Sequence, residues 1–124
     1  MTTIPLRTLD MARFTARGFL RMDAVVPPAL NARFLADVGH PPDDAVDNLW
    51  QHYGRIMQTS AIPLVIPGTP LADAYPEGSA VAELLALPAV RGAINSLVGE
   101  GCVVDHHFLH IPFPGRLHAS AGLP

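Results

Sequence analysis

Apolar residues recur at helical spacing in several stretches of the chain, and each stretch is bounded by a residue type that starts or stops helices. Residues 8–17 carry Leu9, Met11 and Phe14. Thr8 is the expected N-cap, and Gly18 stands where a helix-ending glycine belongs. Residues 19–26 then alternate at their start, with Phe19, Arg21 and Asp23 against Leu20, Met22 and Ala24, which is the period of a strand. Pro27 and Pro28 stop that strand, and proline suits the first turn of a helix. The next helix is expected over residues 29–38, where Leu30, Phe34 and Val38 recur every four residues and form one stripe. Gly39 closes it. Residues 40–47 read as a loop and residues 48–59 as a further helix, with Leu49, Trp50, Tyr53, Ile56 and Met57 on its apolar side.

Residues 61–79 hold Pro63, Pro67, Pro70 and Pro76. Proline removes backbone donors and fixes φ, so this stretch is expected to be irregular and extended, a lid or wrap over a larger body. Residues 79–87 predict one or two helical turns burying Val81, Leu84 and Leu85. Pro88 restarts a helix in which Val90, Ile94, Leu97 and Val98 follow an i, i+4, i+7, i+8 pattern up to Gly99. Residues 102–111 predict a strand. No repeat is evident.

The 124 residues suffice for one core and are too few for two. Hydrophobic residues make up 49 % and charged residues 15 %, against roughly 25 % charged in an average soluble domain. A surface so poor in charge suggests that more protein covers part of it. The apolar runs are short and cut by proline, well under the ~20 residues of a bilayer span, so no membrane is expected. Net charge is −3, and all eight basic residues are arginines scattered from Arg7 to Arg116. Without a basic stripe there is nothing to replace counterions along phosphates, which argues against nucleic acid. No export signal opens the chain, and the lone Cys102 cannot close an internal disulfide. A small core residue is its expected role. These points together predict a cytoplasmic protein.

The richest chemistry lies in the run from Asp105 to His110, D-H-H-F-L-H. On a strand, His106, Phe108 and His110 share one face while Asp105, His107, Leu109 and Ile111 take the other. At roughly 3.3 Å per residue, His106 and His110 lie about 13 Å apart. Metal–nitrogen bonds are near 2.1 Å, so one ion cannot bridge them, and a self-contained metal site is not expected. The histidines instead suit the wall of a pocket or hydrogen bonds inside a larger sheet. His118 and Ser120 have no acid placed to orient them as a hydrolytic triad. Asp43, Asp44 and Asp47 read as a helix N-terminal charge cluster. Gly99-Glu100-Gly101 precedes a strand and lacks the third glycine of a phosphate loop.

One ordered set of motifs resembles a known family. Phe14, then Gly18-Phe19-Leu20, leads to Val25-Val26-Pro27-Pro28 and a helix; much later come Leu97-Val98-Gly99 and a strand ending in Pro112-Phe113-Pro114-Gly115. The order is similar to the N-terminal part of phytanoyl-CoA dioxygenase-like proteins. The resemblance implies a non-haem Fe(II)/2-oxoglutarate-dependent oxygenase, acting on a small organic substrate, with a double-stranded β-helix (jelly-roll) fold. It therefore implies an α+β chain: N-terminal helices and the first strands of a barrel that is incomplete within residues 1–124, a single partial domain. Such enzymes hold iron with a His-x-Asp pair and a distant histidine. The pair is absent from this sequence, and His118-Ala119-Ser120 is the nearest approach.

No catalytic and no metal-binding residue is therefore carried over from the family. The resemblance places His106, Phe108 and His110 on the pocket side, Phe108 for contact with cosubstrate and His106 or His110 for contact with substrate; ordinary wall residues are the open alternative. Fe(II) and 2-oxoglutarate are expected for the complete family fold, and neither for this chain alone, which is expected to be inactive. Pairing with a missing C-terminal half follows as the expected partnership. The alternative from another class is a small non-catalytic interaction module that adds its C-terminal strand to a partner's sheet.

Overall fold

The computed structural model describes residues 2–38 and 65–105. Among them the chain is α+β, with four α-helices and one two-stranded antiparallel sheet. Helix α1 spans Thr8–Arg17 and α2 spans Pro28–Val38. Strand β1 is Thr69–Pro70, followed by a single 3-10 turn at Leu71–Asp73. Helices α3 (Ala80–Ala86) and α4 (Pro88–Val98) come next, and β2 is Val103–Val104. The expected loop at 40–47, the helix at 48–59 and residues 106–111 of the expected strand lie outside the described residues.

Helix α1 starts one residue earlier than Thr8 would place it. Arg7 is the N-cap, with extended φ/ψ of −75° and 158°. Asp10, three residues on, accepts a hydrogen bond from the Arg7 backbone N–H (3.4 Å) and another from Arg7 Nε (3.1 Å). The carboxylate thus satisfies an orphan donor at the positive end of the helix. Gly18 ends the helix as expected, in the left-handed region at φ 78°, its N–H donating to Phe14 O at 2.8 Å.

Residues 19–26 are not a strand. Their alternation is real, but no described residue offers them a hydrogen-bonded ladder. Instead the chain turns at Asp23-Ala24, where Ala24 takes φ 55°, and Arg21 Nε donates to Asp23 Oδ1 at 2.6 Å. Helix α2 then opens from Pro27, whose carbonyl accepts from Leu30 N at 3.0 Å. Leu30 is buried and Phe34 half-buried, so this much of the expected stripe faces inward.

The proline-rich stretch is irregular except for one short piece. Thr69 faces Val104 and Pro70 faces Val103. Pro70 cannot donate, and the ladder works around it: Gly68 N donates to Val104 O (2.8 Å) and Leu71 N to Cys102 O (3.0 Å). The later strand begins at Val103 rather than Cys102. Helix α3 is capped by Ser79, whose Oγ accepts from Ala82 N at 3.2 Å. Leu87 breaks the run with ψ 132°, Pro88 restarts it, and α3 and α4 meet at a bend of 68°. No single helix among the described residues is long and apolar enough to cross a membrane.

The buried apolar side chains are small: Ala74, Ala80 and Ala93 beside Leu30. Val81, Leu84 and Leu85, expected to be buried, are half-buried; they lie on a short helix that packs against both α2 and α4. An ion pair ties the α2–α3 contact from outside, with Arg33 Nη1 2.6 Å from Glu83 Oε2 and Nη2 donating to Gly78 O at 2.8 Å. Residues 2–6 lie as a strap along α4. Ile4 N donates to Pro88 O and Leu6 N to Ser96 Oγ, each at 3.0 Å. Pro88, Gly92 and Ser96 occupy one face of α4 at a spacing of four, and the strap follows that face. Gly92 is the contact point: a Cβ there would collide with the Ile4 carbonyl and lie 2.9 Å from Ile4 N.

Candidate functional site

Beside the strap, α4 turns a second face toward open space. Arg91, Ile94 and Asn95 fall at i, i+3 and i+4, so their side chains share that face. Across from them stand Ala82 and Leu85 of α3, one turn apart. The strap contributes Thr3, the 3-10 turn Leu71 and Ala72, and Tyr75 follows two residues after that turn. The chain returning toward β2 closes the ring with Glu100, Gly101 and Cys102. Together they enclose a cleft of about 450 Å³.

The lining divides into two kinds. Leu71, Ala72, Ala82, Leu85 and Ile94 make an apolar body, while Thr3, Tyr75, Arg91, Asn95, Glu100 and Cys102 bring polar groups to it. Arg91 is half-buried and Glu100 exposed. The two side chains form no ion pair with each other, and Arg91 has no acidic partner among the described residues. Partial burial pushes the Tyr75 phenol up from its ordinary pKa. Cys102 is a half-buried free thiol.

The arrangement is that of a binding site. A guanidinium without a carboxylate partner among the described residues, an amide one turn away and two hydroxyl-bearing residues line an open cleft of mixed polar and apolar character. Pockets of this kind fix orientation with a few polar groups and gain affinity from apolar contact.

His106, Phe108 and His110, the pocket residues expected from the sequence, lie outside the described residues, as do all six histidines of the chain. The described residues include no group of three His, Cys, Asp or Glu side chains able to hold a metal ion. The residues that do gather, Thr3, Tyr75, Arg91 and Asn95, were missed by reading the pattern of apolar positions. A signal for two of them existed: Arg91 and Asn95 stand one turn apart beside the apolar positions of α4, on a helix with no acidic residue in its first turn and no basic one in its last.

Comparison with protein-family models, with curated proteins and with solved structures finds no match to this chain.

Proposed function

We propose that residues 1–124 make the N-terminal part of a phytanoyl-CoA dioxygenase-like, Fe(II)/2-oxoglutarate-dependent oxygenase fold, and that their work there is to build a substrate-side wall and not the iron site. The observation that carries this reading is the course of the chain around the cleft. Helix α4 ends at Leu97-Val98-Gly99, residues Glu100 to Cys102 line the cleft, and β2 pairs with β1 immediately afterwards. In sequence the histidine run at 106–110 comes soon after these lining residues. The motif order Gly18-Phe19-Leu20, Val25 to Pro28 and Leu97 to Gly99 supports the same reading, with Gly18 closing α1 and Pro28 opening α2.

The donor set of this chain does not fit the iron. No His-x-Asp or His-x-Glu pair occurs in the sequence, and the histidines expected on one strand face stand too far apart to share an ion. No catalytic step is therefore assigned to these residues. In a complete enzyme of this kind the protein orients substrate and excludes water while the metal supplies the chemistry. The complete substrate would be a small organic molecule, and a jelly-roll barrel would supply the iron ligands from further strands.

Two measurements test the proposal. The coding DNA after codon 124 is read in all three frames; a His-x-Asp or His-x-Glu pair within about twenty codons, followed by a later histidine, supports it. Absence of such a pair in every frame overturns it and leaves the interaction module, recognisable by strand addition to a partner's sheet. The purified 124-residue protein, given ferrous salt, 2-oxoglutarate and oxygen, is expected to release no succinate; release at this length would also refute the assignment.

A further inference from the structure

We propose that the cleft between the strap, α3 and α4 binds a small organic monocarboxylate, with Arg91 holding the carboxylate and the alanine- and leucine-lined chamber holding a compact apolar body. This inference does not depend on the oxygenase reading, since every residue it uses lies in the described part of the chain.

Size sets the first limit. A volume of about 450 Å³ lies within the range of small-molecule pockets. It admits one small molecule and excludes a peptide helix. Charge sets the second. Arg91 is half-buried, lines the cleft together with Leu85, Ile94 and Tyr75, and has no acidic partner among the described residues. A guanidinium that is partly desolvated and unpaired gains most from an anion, and its planar fork matches a carboxylate with two parallel hydrogen bonds. Asn95, one turn along the same face, can add an amide N–H, and Thr3 and Tyr75 reach the cleft from other elements.

Glu100 sets the third limit. Glu100 is an exposed residue of the same lining, and like charges brought together in a cleft repel. A ligand with a second carboxylate reaching toward Glu100 is disfavoured, whereas an apolar body meets no such penalty. Among the described arginines, Arg7 and Arg13 pair with Asp10, Arg21 with Asp23 and Arg33 with Glu83, whereas Arg17 and Arg91 have no acidic partner there. Arg91 sits on the helix face that the strap leaves uncovered.

Isothermal titration of the full 124-residue chain with hexanoate, succinate and hexylamine provides the test. Hexanoate is expected to bind at one site, succinate at least fivefold more weakly, and hexylamine not measurably. Arg91→Gln should weaken hexanoate at least tenfold, and Arg33→Gln, which removes an exposed arginine of α2, should leave it unchanged. Should Arg91→Gln lose its helical circular dichroism, Arg91→Lys keeps the charge but not the fork and should weaken hexanoate at least threefold. Absence of hexanoate binding, equal loss in the Arg33 and Arg91 variants, or hexylamine binding as tightly as hexanoate would each overturn the proposal.

Discussion

Gly92 offers the sharpest test of how the strap is held. A glycine inside a helix is ordinarily a weakness, and replacing it with alanine stabilises by about 1 kcal/mol. Here the sign should reverse. Gly92 is buried, and an added Cβ would strike the Ile4 backbone. Backbone cannot swing away as the end of a flexible side chain can, so the strap must lift or α4 must shift. Lifting breaks the bonds from Ile4 N to Pro88 O and from Leu6 N to Ser96 Oγ, each with a net worth of about 1 kcal/mol. Shifting instead carries an overpacking cost of about 1–3 kcal/mol. After subtracting the helix-propensity gain, Gly92→Ala should destabilise the chain by about 1 kcal/mol if the strap lifts and by about 0–2 kcal/mol if α4 shifts. Urea unfolding followed by circular dichroism measures the difference. The decisive comparison is the same substitution in a chain lacking residues 2–6, where it should become stabilising by about 1 kcal/mol. Equal effects with and without the strap would refute the argument.

Three further expectations follow from local chemistry. Ser79→Ala removes the acceptor for Ala82 N and should cost about 1 kcal/mol in urea unfolding, most of it recovered by Ser79→Asp; no loss would mean that α3 does not depend on its cap. The Asp10 carboxyl is held below the usual carboxylate range, first by its hydrogen bond from Arg7, so its stabilisation is complete above that range and disappears as pH falls through the depressed value. The stability difference between the native chain and Asp10→Asn should therefore be flat at neutral pH and shrink in acid, and growth in acid would contradict this. Burial raises the Tyr75 phenol, so the ultraviolet phenolate signal lost in Tyr75→Phe should titrate on the alkaline side of an ordinary tyrosine. Titration at or below the ordinary position would place Tyr75 in solvent or beside a cation.

The helices were legible because their signals are local. Gly18 closes α1, Pro28 opens α2, Ser79 caps α3 and Pro88 starts α4, and each works through residues within one turn. The strand expected at residues 19–26 failed for the opposite reason. Alternation states which faces the side chains would take, but a strand exists only if another segment pairs with it, and no described segment does. Thr8 was a reasonable cap by residue type, yet the reach of Asp10 back to Arg7 fixed the helix start one position earlier. Pro70 in a strand was equally hard to foresee, because its missing donor matters only once Leu71 is seen to bond Cys102 instead. The cleft was the least legible. Apolar periodicity assigns Arg91 and Asn95 to solvent; they line a cleft because Thr3, Leu71 and Cys102 join the same lining from positions distant in sequence. The family resemblance bears on motif order and on the histidine run, which lies outside the described residues, so it could not point to α4.

The two bonds that seat β1 on β2 have one more consequence. Leu71 and Cys102 are partners in that ladder and also stand on the rim of the cleft. Prying the clasp apart would splay the chamber, so occupancy and clasp must be thermodynamically linked: a guest that favours the closed rim adds its own binding energy to the clasp. The Leu71 amide is then a built-in reporter, and its deuterium uptake should slow in step with filling of the chamber.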